Sequence, residues 1–251
     1  MSAVSAMLYR ETRIRITNLT LIFWDVCYPL AYLFVFGVGM TQAIGAPFSA
    51  GQVDYNSFFL AGVLGMASFG VAANTSWTFF MDRDNGIFFE MLTYPLSRVD
   101  YLTGKFLFTV ALALVQTVLT VVLADLTLGI RVRWDLLPLL LVSVVIGTMG
   151  WAAFYSIFAL TTRRNDVFNA VTSIFYFVFL FASSIFYPLE TLPTWFRFSA
   201  YVNPITWQVD VMRYATIGVG EPRTLLLETV AFIAFTIASF WFCIRALRHQ
   251  E

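Results

Sequence analysis

The sequence predicts an all-α integral membrane protein. Three observations carry that expectation: 59% of the 251 residues are hydrophobic, only 12% are charged, and the stretches free of Asp, Glu, Lys and Arg are long enough to cross a bilayer. Soluble domains average about 25% charged residues, and an aromatic content of 18% suits hydrocarbon better than a water-facing surface. At roughly 20 residues per spanning helix, the length allows about six spans and leaves little for a water-soluble domain. The formal net charge is zero, so no global field favours nucleic acid. Cys27 and Cys243 sit inside apolar runs and read as packing residues, not as a disulfide framework or a metal site.

The elements follow in order. Val4 to Arg15 places Val4, Met7, Leu8 and Ile14 on one side of a helix, with Glu11 and Arg15 intruding, an imperfect amphipathic helix suited to the membrane surface. The apolar run after it exceeds the roughly 7 to 15 residues of a signal-peptide core, so it is expected to be a first span, Leu19 to Met40, and not a cleaved leader. Further spans are expected over Phe58 to Phe80, Phe106 to Leu128, Leu136 to Leu160, Val167 to Phe186 and Leu225 to Ile244, the whole of 1–251 forming one transmembrane domain.

Two connections are not ordinary loops. Asp82 to Lys105 carries charges, Pro95 and the apolar set Phe88, Phe89, Met91 and Leu92, which predicts a short helix lying at the membrane surface. Tyr187 to Thr224 is too aromatic for a flexible loop and too broken by Pro188, Pro193 and Pro204 for a full span. It is expected to form two short interfacial or re-entrant helices before the last span. Asn203 is placed to cap the second, with Pro204 at its first position, where a missing N–H costs nothing. Ile205, Val209 and Met212 then share a stripe, leaving Gln208, Asp210 and Arg213 for other faces. Asp210 and Arg213, three residues apart, are spaced to pair.

Charge placement predicts the topology. Taken by alternate loops, ten basic residues (Arg10, Arg13, Arg15, Arg83, Arg98, Lys105, Arg163, Arg164, Arg245 and Arg248) fall on one side and five (Arg131, Arg133, Arg197, Arg213 and Arg223) on the other. The positive-inside bias puts both termini in the cytoplasm, and the loop from Thr41 to Ser57, with no basic residue, is external. Asp25 lies about six residues into the first span, roughly 9 Å deep at ~1.5 Å per residue, and reads as an ion pair or interfacial anchor. Asp125 carries no assigned role.

Catalysis in a membrane calls for His, clustered carboxylates or a buried Lys. The single His, His249, is in the tail, and the single Lys, Lys105, is at a span edge, which disfavours haem carriers and retinal-type Schiff bases. Gly104-Lys105 is followed by Phe106, so no phosphate-binding loop is present. An intramembrane lipid-modifying enzyme is the rival reading. It would draw on Asp25, on the outer-face Glu190 and Asp210, or on Asp82, Asp84 and Glu90, none of which shows a recognisable metal-ligand spacing. A passive channel lacks any selectivity element.

Glu90, Leu92, Pro95, Ser97-Arg98 and Gly104-Lys105, in that order before the third span, resemble the coupling segment of type-2 ATP-binding-cassette exporter permeases. Phe186-Tyr187-Pro188, Leu192-Pro193 and Asn203-Pro204 through Asp210 and Arg213 are similar to that family's second shared block. Phe89 and Tyr94 depart from the smaller or aliphatic residues expected there. The resemblance implies a permease that is not itself an enzyme and carries no cofactor. Two cytoplasmic ATPase subunits would bind ATP and Mg and engage Glu90, Leu92, Pro95 and Arg98. A second permease copy would complete a homodimer in the plasma (inner) membrane, surrounded by lipid.

In the resembled family the first and fifth spans line the dimer interface. The stripes Trp24, Tyr28, Tyr32 and Phe168, Phe175, Phe179 are therefore candidates for the wall of a translocation path, and Asn203, Pro204, Asp210 and Arg213 for an external gate. Abundant aromatics without a carboxylate relay favour export of amphiphilic or lipophilic cargo such as drugs, lipids or lipid-linked glycans over small ions.

Overall fold

The computed structural model describes residues 2–44 and 53–249, and among these there is no strand. A surface helix α1 (Ala3–Thr17) leads into α2 (Leu19–Tyr32), whose backbone continues through a π-helical turn, Leu33–Val38, into α3 (Gly39–Ile44). The π turn begins one turn after Pro29, whose missing N–H already interrupts the regular ladder. Then follow α4 (Tyr55–Asp84), α5 (Ile87–Met91), α6 (Arg98–Leu128), α7 (Leu137–Thr161), α8 (Asn165–Phe181), α9 (Thr194–Val202), α10 (Pro204–Ile217) and α11 (Pro222–Arg248).

Among the described residues four stretches are long and apolar enough to cross a membrane: Tyr55–Asp84, Arg98–Leu128, Trp134–Thr161 and Pro222–Arg248. They run past the expected span limits because helix continues where charged residues can reach the membrane surface; α6 begins at Arg98, under a capping box in which the Ser97 hydroxyl accepts from the Asp100 N–H at 3.0 Å. The fifth expected span is shorter than the sequence suggests. Helix α8 stops at Phe181, since the Ser183 hydroxyl donates to the Leu180 carbonyl at 2.6 Å and the Asn203 amide takes the carbonyls of Phe179 and Ala182 at 2.8 and 2.7 Å. Side chains that bond the backbone locally in this way end a helix.

The centre of the bundle is α4, with 83% of its apolar window buried against 22% for α11. Its small residues set how closely its neighbours approach. A Cβ on Gly62 would stand 2.7 Å from the Ile185 carbonyl oxygen, and one on Gly65 would stand 2.4 Å from Val209. Helix α10 therefore lies inside the bundle against α4, α7 and α11, with Ile205, Val209 and Met212 wholly buried. On α9, by contrast, Trp195 and Phe198 are exposed. Gln208, expected on another face of α10, is also buried. Its Oε1 accepts from the Trp151 indole N–H at 2.7 Å, and its amide donates to the Ser68 hydroxyl at 3.1 Å. Ser68 in turn bonds Thr148 at 2.9 Å. Gly147 leaves the room that Gln208 occupies.

One end of the bundle gathers α1, the segment between α4 and α6, the end of α7 and the end of α11. Arg10 bonds Asp82, Arg83 donates to the carbonyls of Leu160 and Thr162, and Arg98 donates to the Leu247 carbonyl at 3.2 Å. The far end gathers the start of α4, the turn before α7 and the block from Ala182 to Gly220: the Tyr55 hydroxyl donates to the Phe186 carbonyl at 3.1 Å, and the Arg133 N–H to the Thr216 carbonyl at 2.8 Å. The side chain of Asp25, and part of the expected external loop from Thr41 to Ser57, lie outside the described residues.

Replacing Gln208 by Leu should strand the Trp151 indole N–H, and unpaired buried groups cost about 1–3 kcal/mol each. Thermal unfolding in detergent checks this: the variant should melt several degrees below the parent, and an unchanged midpoint would mean that the Gln208 bonds do not hold α10 in place.

Candidate functional site

At the basic end, three charged side chains from three helices converge out of water. Lys105 of α6 is 1% exposed, and Glu11 of α1 and Asp82 of α4 are 8% exposed. The Lys105 ammonium lies 3.2 Å from Glu11 and 3.0 Å from Asp82 and donates to the Thr78 hydroxyl at 3.2 Å. Arg10 bridges the same two carboxylates at 2.7 and 2.8 Å, and the Tyr101 hydroxyl donates to Asp82 at 2.5 Å. Two cations meet two carboxylates, so the cluster is neutral, as burial requires. Gly104 completes the joint, because a Cβ there would stand 2.4 Å from that of Met7. Glu11, an intruder on the apolar side of α1 by sequence, is thus the residue that docks the helix. Ile14, grouped with that apolar side, is exposed.

Between this cluster and α6 runs the segment that carries Glu90, Leu92, Pro95 and Arg98. Gly86, at a φ of 76°, turns the chain out of α4 into α5. Phe88 anchors the segment, buried against Phe79 and Tyr101 at ring distances of 5.6 and 5.0 Å. Leu92 packs on the core half-buried, while Phe89, Glu90, Tyr94 and Pro95 face outward. Arg83 and Arg98 flank the segment and cap the C-terminal carbonyls of α7 and α11, where a cation is favoured. Asp82 is taken up by its cations, Asp84 and Glu90 are exposed, and among the described residues no group of three His, Cys, Asp or Glu side chains is placed to hold a metal ion.

A cleft of 560 Å³ opens between α2, α4 and α8 and reaches α6. Trp24, Tyr28, Trp77 and Tyr176 give it aromatic walls, and Asn74, Gln116, Asn169 and Thr172 give it amide and hydroxyl groups. The hydroxyls of Tyr28 and Tyr176 meet at 3.4 Å. Trp24 and Phe177 are exposed at its lip. The two aromatic stripes divide here. Trp24, Tyr28 and Phe168 line the cleft, Phe168 also stacking on Phe80 at 4.6 Å. Tyr32 stacks on Phe36 at 5.4 Å. Phe175 and Phe179 turn the other way and pack on Phe154 of α7, both at 5.7 Å. Gln116 and Asn74, which the sequence reading did not single out, are amides within apolar spans, and that was their available signal.

At the far end Asn203 caps α10, its Oδ1 accepting from the Ile205 N–H at 3.1 Å, with Pro204 in the first turn. Asp210 and Arg213 are paired. The Ser184 hydroxyl donates to Asp210 at 2.8 Å, Arg213 donates to the Ser184 carbonyl at 2.7 Å, and the guanidinium lies 4.1 Å above the Phe58 ring. These contacts tie α10 to α4 and to the chain leaving α8.

The profile of the ABC-2 type transporter family matches residues 2–217. A protein described as a transport permease, ycf38, of Porphyra purpurea is 28% identical over 193 residues, covering 75% of this chain and 65% of its own. Its namesake in Pyropia yezoensis is 26% identical over 220 residues, or 84% and 75% of the two chains. The daunorubicin resistance ABC transporter permease protein DrrB1 of Streptomyces coeruleorubidus is 26% identical over 216 residues, or 83% and 74%. The chain therefore spans 65% to 75% of the length of these relatives.

Removing one partner from a buried ion cluster costs about 3–5 kcal/mol. Asp82→Ala should accordingly lower the melting midpoint in detergent strongly, and Asp82→Leu combined with Lys105→Met should recover much of the loss. Equal midpoints for the parent and Asp82→Ala would show that the cluster is solvated and not a joint.

Proposed function

The chain belongs to the ABC-2 type transporter family, and on that premise we propose that it is the membrane subunit of an ATP-driven exporter of amphiphilic or lipophilic cargo. The observation that carries the reading is the segment from Phe89 to Pro95: Phe89, Glu90, Tyr94 and Pro95 face outward, on a segment anchored by buried Phe88 and half-buried Leu92 and flanked by two arginines that cap neighbouring helices. A surface so braced suits a partner that pushes on it. The partners would be two ATPase subunits binding ATP and Mg, engaging Glu90, Leu92 and Pro95 directly and using Arg98 to pass displacement to the end of α11.

Six spans follow if the continuous helix from Leu19 to Ile44 is one and α8 another. At ~1.5 Å per residue the first reaches about 39 Å and the second about 26 Å, against a hydrocarbon core of ~30 Å. The basic end then faces the cytoplasm with both termini, in the plasma (inner) membrane. Val35 on the π turn after α2 and Ile174, Phe177 and Val178 on α8 are exposed and apolar, which suits contact with a second permease copy or with lipid. The cleft beside them mixes aromatic walls with amides and hydroxyls, the lining that an amphiphile with a hydrogen-bonding head would meet. Trp24, Tyr28 and Phe168 are its path residues, with Tyr32 above them and Phe175 and Phe179 backing the wall. The block of Asn203, Pro204, Asp210 and Arg213 serves as the outer gate. The lipid-modifying alternative has no comparable support, since Asp82 is neutralised by Arg10 and Lys105.

Glu90→Ala and Pro95→Ala test the reading in proteoliposomes holding the permease with its ATPase. Both should cut extrusion of a fluorescent amphiphile about tenfold or more, with the protein still inserted. Normal extrusion and normal cargo-stimulated ATP hydrolysis in both variants would overturn it.

A further inference from the structure

The far end holds a second cavity, of 270 Å³, between α10, the start of α11 and the turn after Pro188. Nothing in the transport reading uses Glu228, which lines it. Glu228 is 7% exposed, about nine ångströms along α11 from Pro222 at ~1.5 Å per residue, and its Oε2 has no hydrogen-bond partner among the described residues. The groups facing it are the carboxyl of Asp210 and the guanidinium of Arg213, with Glu190 on the turn, Glu221 at the start of its own helix and Tyr201 of α9 around the same cavity. Arg213 gives its two terminal nitrogens to Asp210 and to the Ser184 carbonyl and lies over the Phe58 ring, its Nε left without a hydrogen-bond partner among the described residues. One buried cation thus stands against the buried Glu228 carboxyl and the half-buried Asp210 carboxyl, while Glu190 and Glu221 make an exposed acidic mouth.

A buried carboxylate without its own counter-ion either keeps a proton or takes up a cation. A metal ion is a poor fit, since no three metal-ligating side chains gather among the described residues and hard divalent ions require six or more oxygens. An ammonium group fits better: it donates charge-assisted hydrogen bonds to a single free carboxylate oxygen and rests favourably on an aromatic face. We propose that this cavity is a binding site for an organic monocation, a protonated amine that donates to Glu228 Oε2, is drawn in by Glu190 and Glu221 and packs against Tyr201. When no amine is bound, a proton on the Glu228 carboxyl neutralises the second charge. Binding of the ammonium releases that proton to solvent, so affinity rises with pH until the amine itself loses its proton. The inference rests on the cavity alone and holds whether or not the chain is driven by ATP.

The test is calorimetric titration of the full chain in phosphatidylcholine nanodiscs, blanked against empty discs. Benzylammonium is the probe and benzyl alcohol its neutral counterpart of similar shape. The expected results are saturable binding of benzylammonium only, release of a proton seen as a dependence of the heat on buffer ionisation enthalpy, and affinity rising up to about tenfold per pH unit. Glu228→Gln should weaken binding tenfold or more. Glu190→Gln with Glu221→Gln should weaken it severalfold, more so at low salt. Absence of saturable binding, equal affinity for the alcohol, or a Glu228→Gln variant that binds as the parent does would each overturn the proposal. Should that variant not purify, the comparison of ammonium with alcohol on the parent decides alone.

Discussion

A lysine ammonium that is 1% exposed must be neutralised where it sits, and much of this structure is arranged around that requirement. Lys105 draws Glu11 from α1 and Asp82 from α4 to within 3.2 Å, and Arg10 and Tyr101 complete the set. Burial multiplies the cost of any missing member, because the charges have no water to fall back on. The pairing therefore fixes the surface helix to two long helices and sets the positions from which the Phe89 to Pro95 segment departs and returns. Gly104 serves the same joint by admitting Met7.

The bilayer imposes a related rule on the far end, where every buried backbone and side-chain polar group needs an internal partner. The chain leaves α8 at Ala182, and Asn203, at the head of α10, answers for the carbonyls exposed by that break. Asp210, Arg213 and Ser184 close a second ionic joint. Helix α4 touches both joints, through Asp82 near its end and Phe58 near its start, and Ser68 midway bonds the buried amide of Gln208. On the proposed reading, a displacement applied at the basic end has a stiff helix of roughly 45 Å, at ~1.5 Å per residue, along which to travel.

Features that depend on neighbours in the chain are legible in the sequence, and features that depend on distant partners are not. Apolar run lengths located the long helices, Asn203-Pro204 marked the start of α10, and the three-residue spacing of Asp210 and Arg213 marked their pair, because each of these depends on neighbours in the chain. Glu11 was visible as an anomaly on an apolar side, yet its partner stands far along the sequence on α6, and nothing local points there. The neighbours of α10 are illegible for the same reason: Gly65 and Gly147 look like ordinary small residues until Val209 and Gln208 fill the space beside them. Helix α8 was drawn too long because Ser183 and Ser184 are apolar enough in context to pass as span, and only their backbone bonds reveal the break. Glu228 was the plainest omission, a carboxylate inside an apolar run, which is a functional signal in a membrane helix.

The central claim is that this chain is moved by a separate ATPase acting on its basic end. The most direct measurement is ATP hydrolysis by the partner subunit in lipid, with and without this chain and with amphiphilic cargo added. The account predicts that the two copurify, that hydrolysis depends on the chain, and that cargo raises it. An ATPase that neither copurifies with the chain nor changes its rate in the chain's presence would contradict the account.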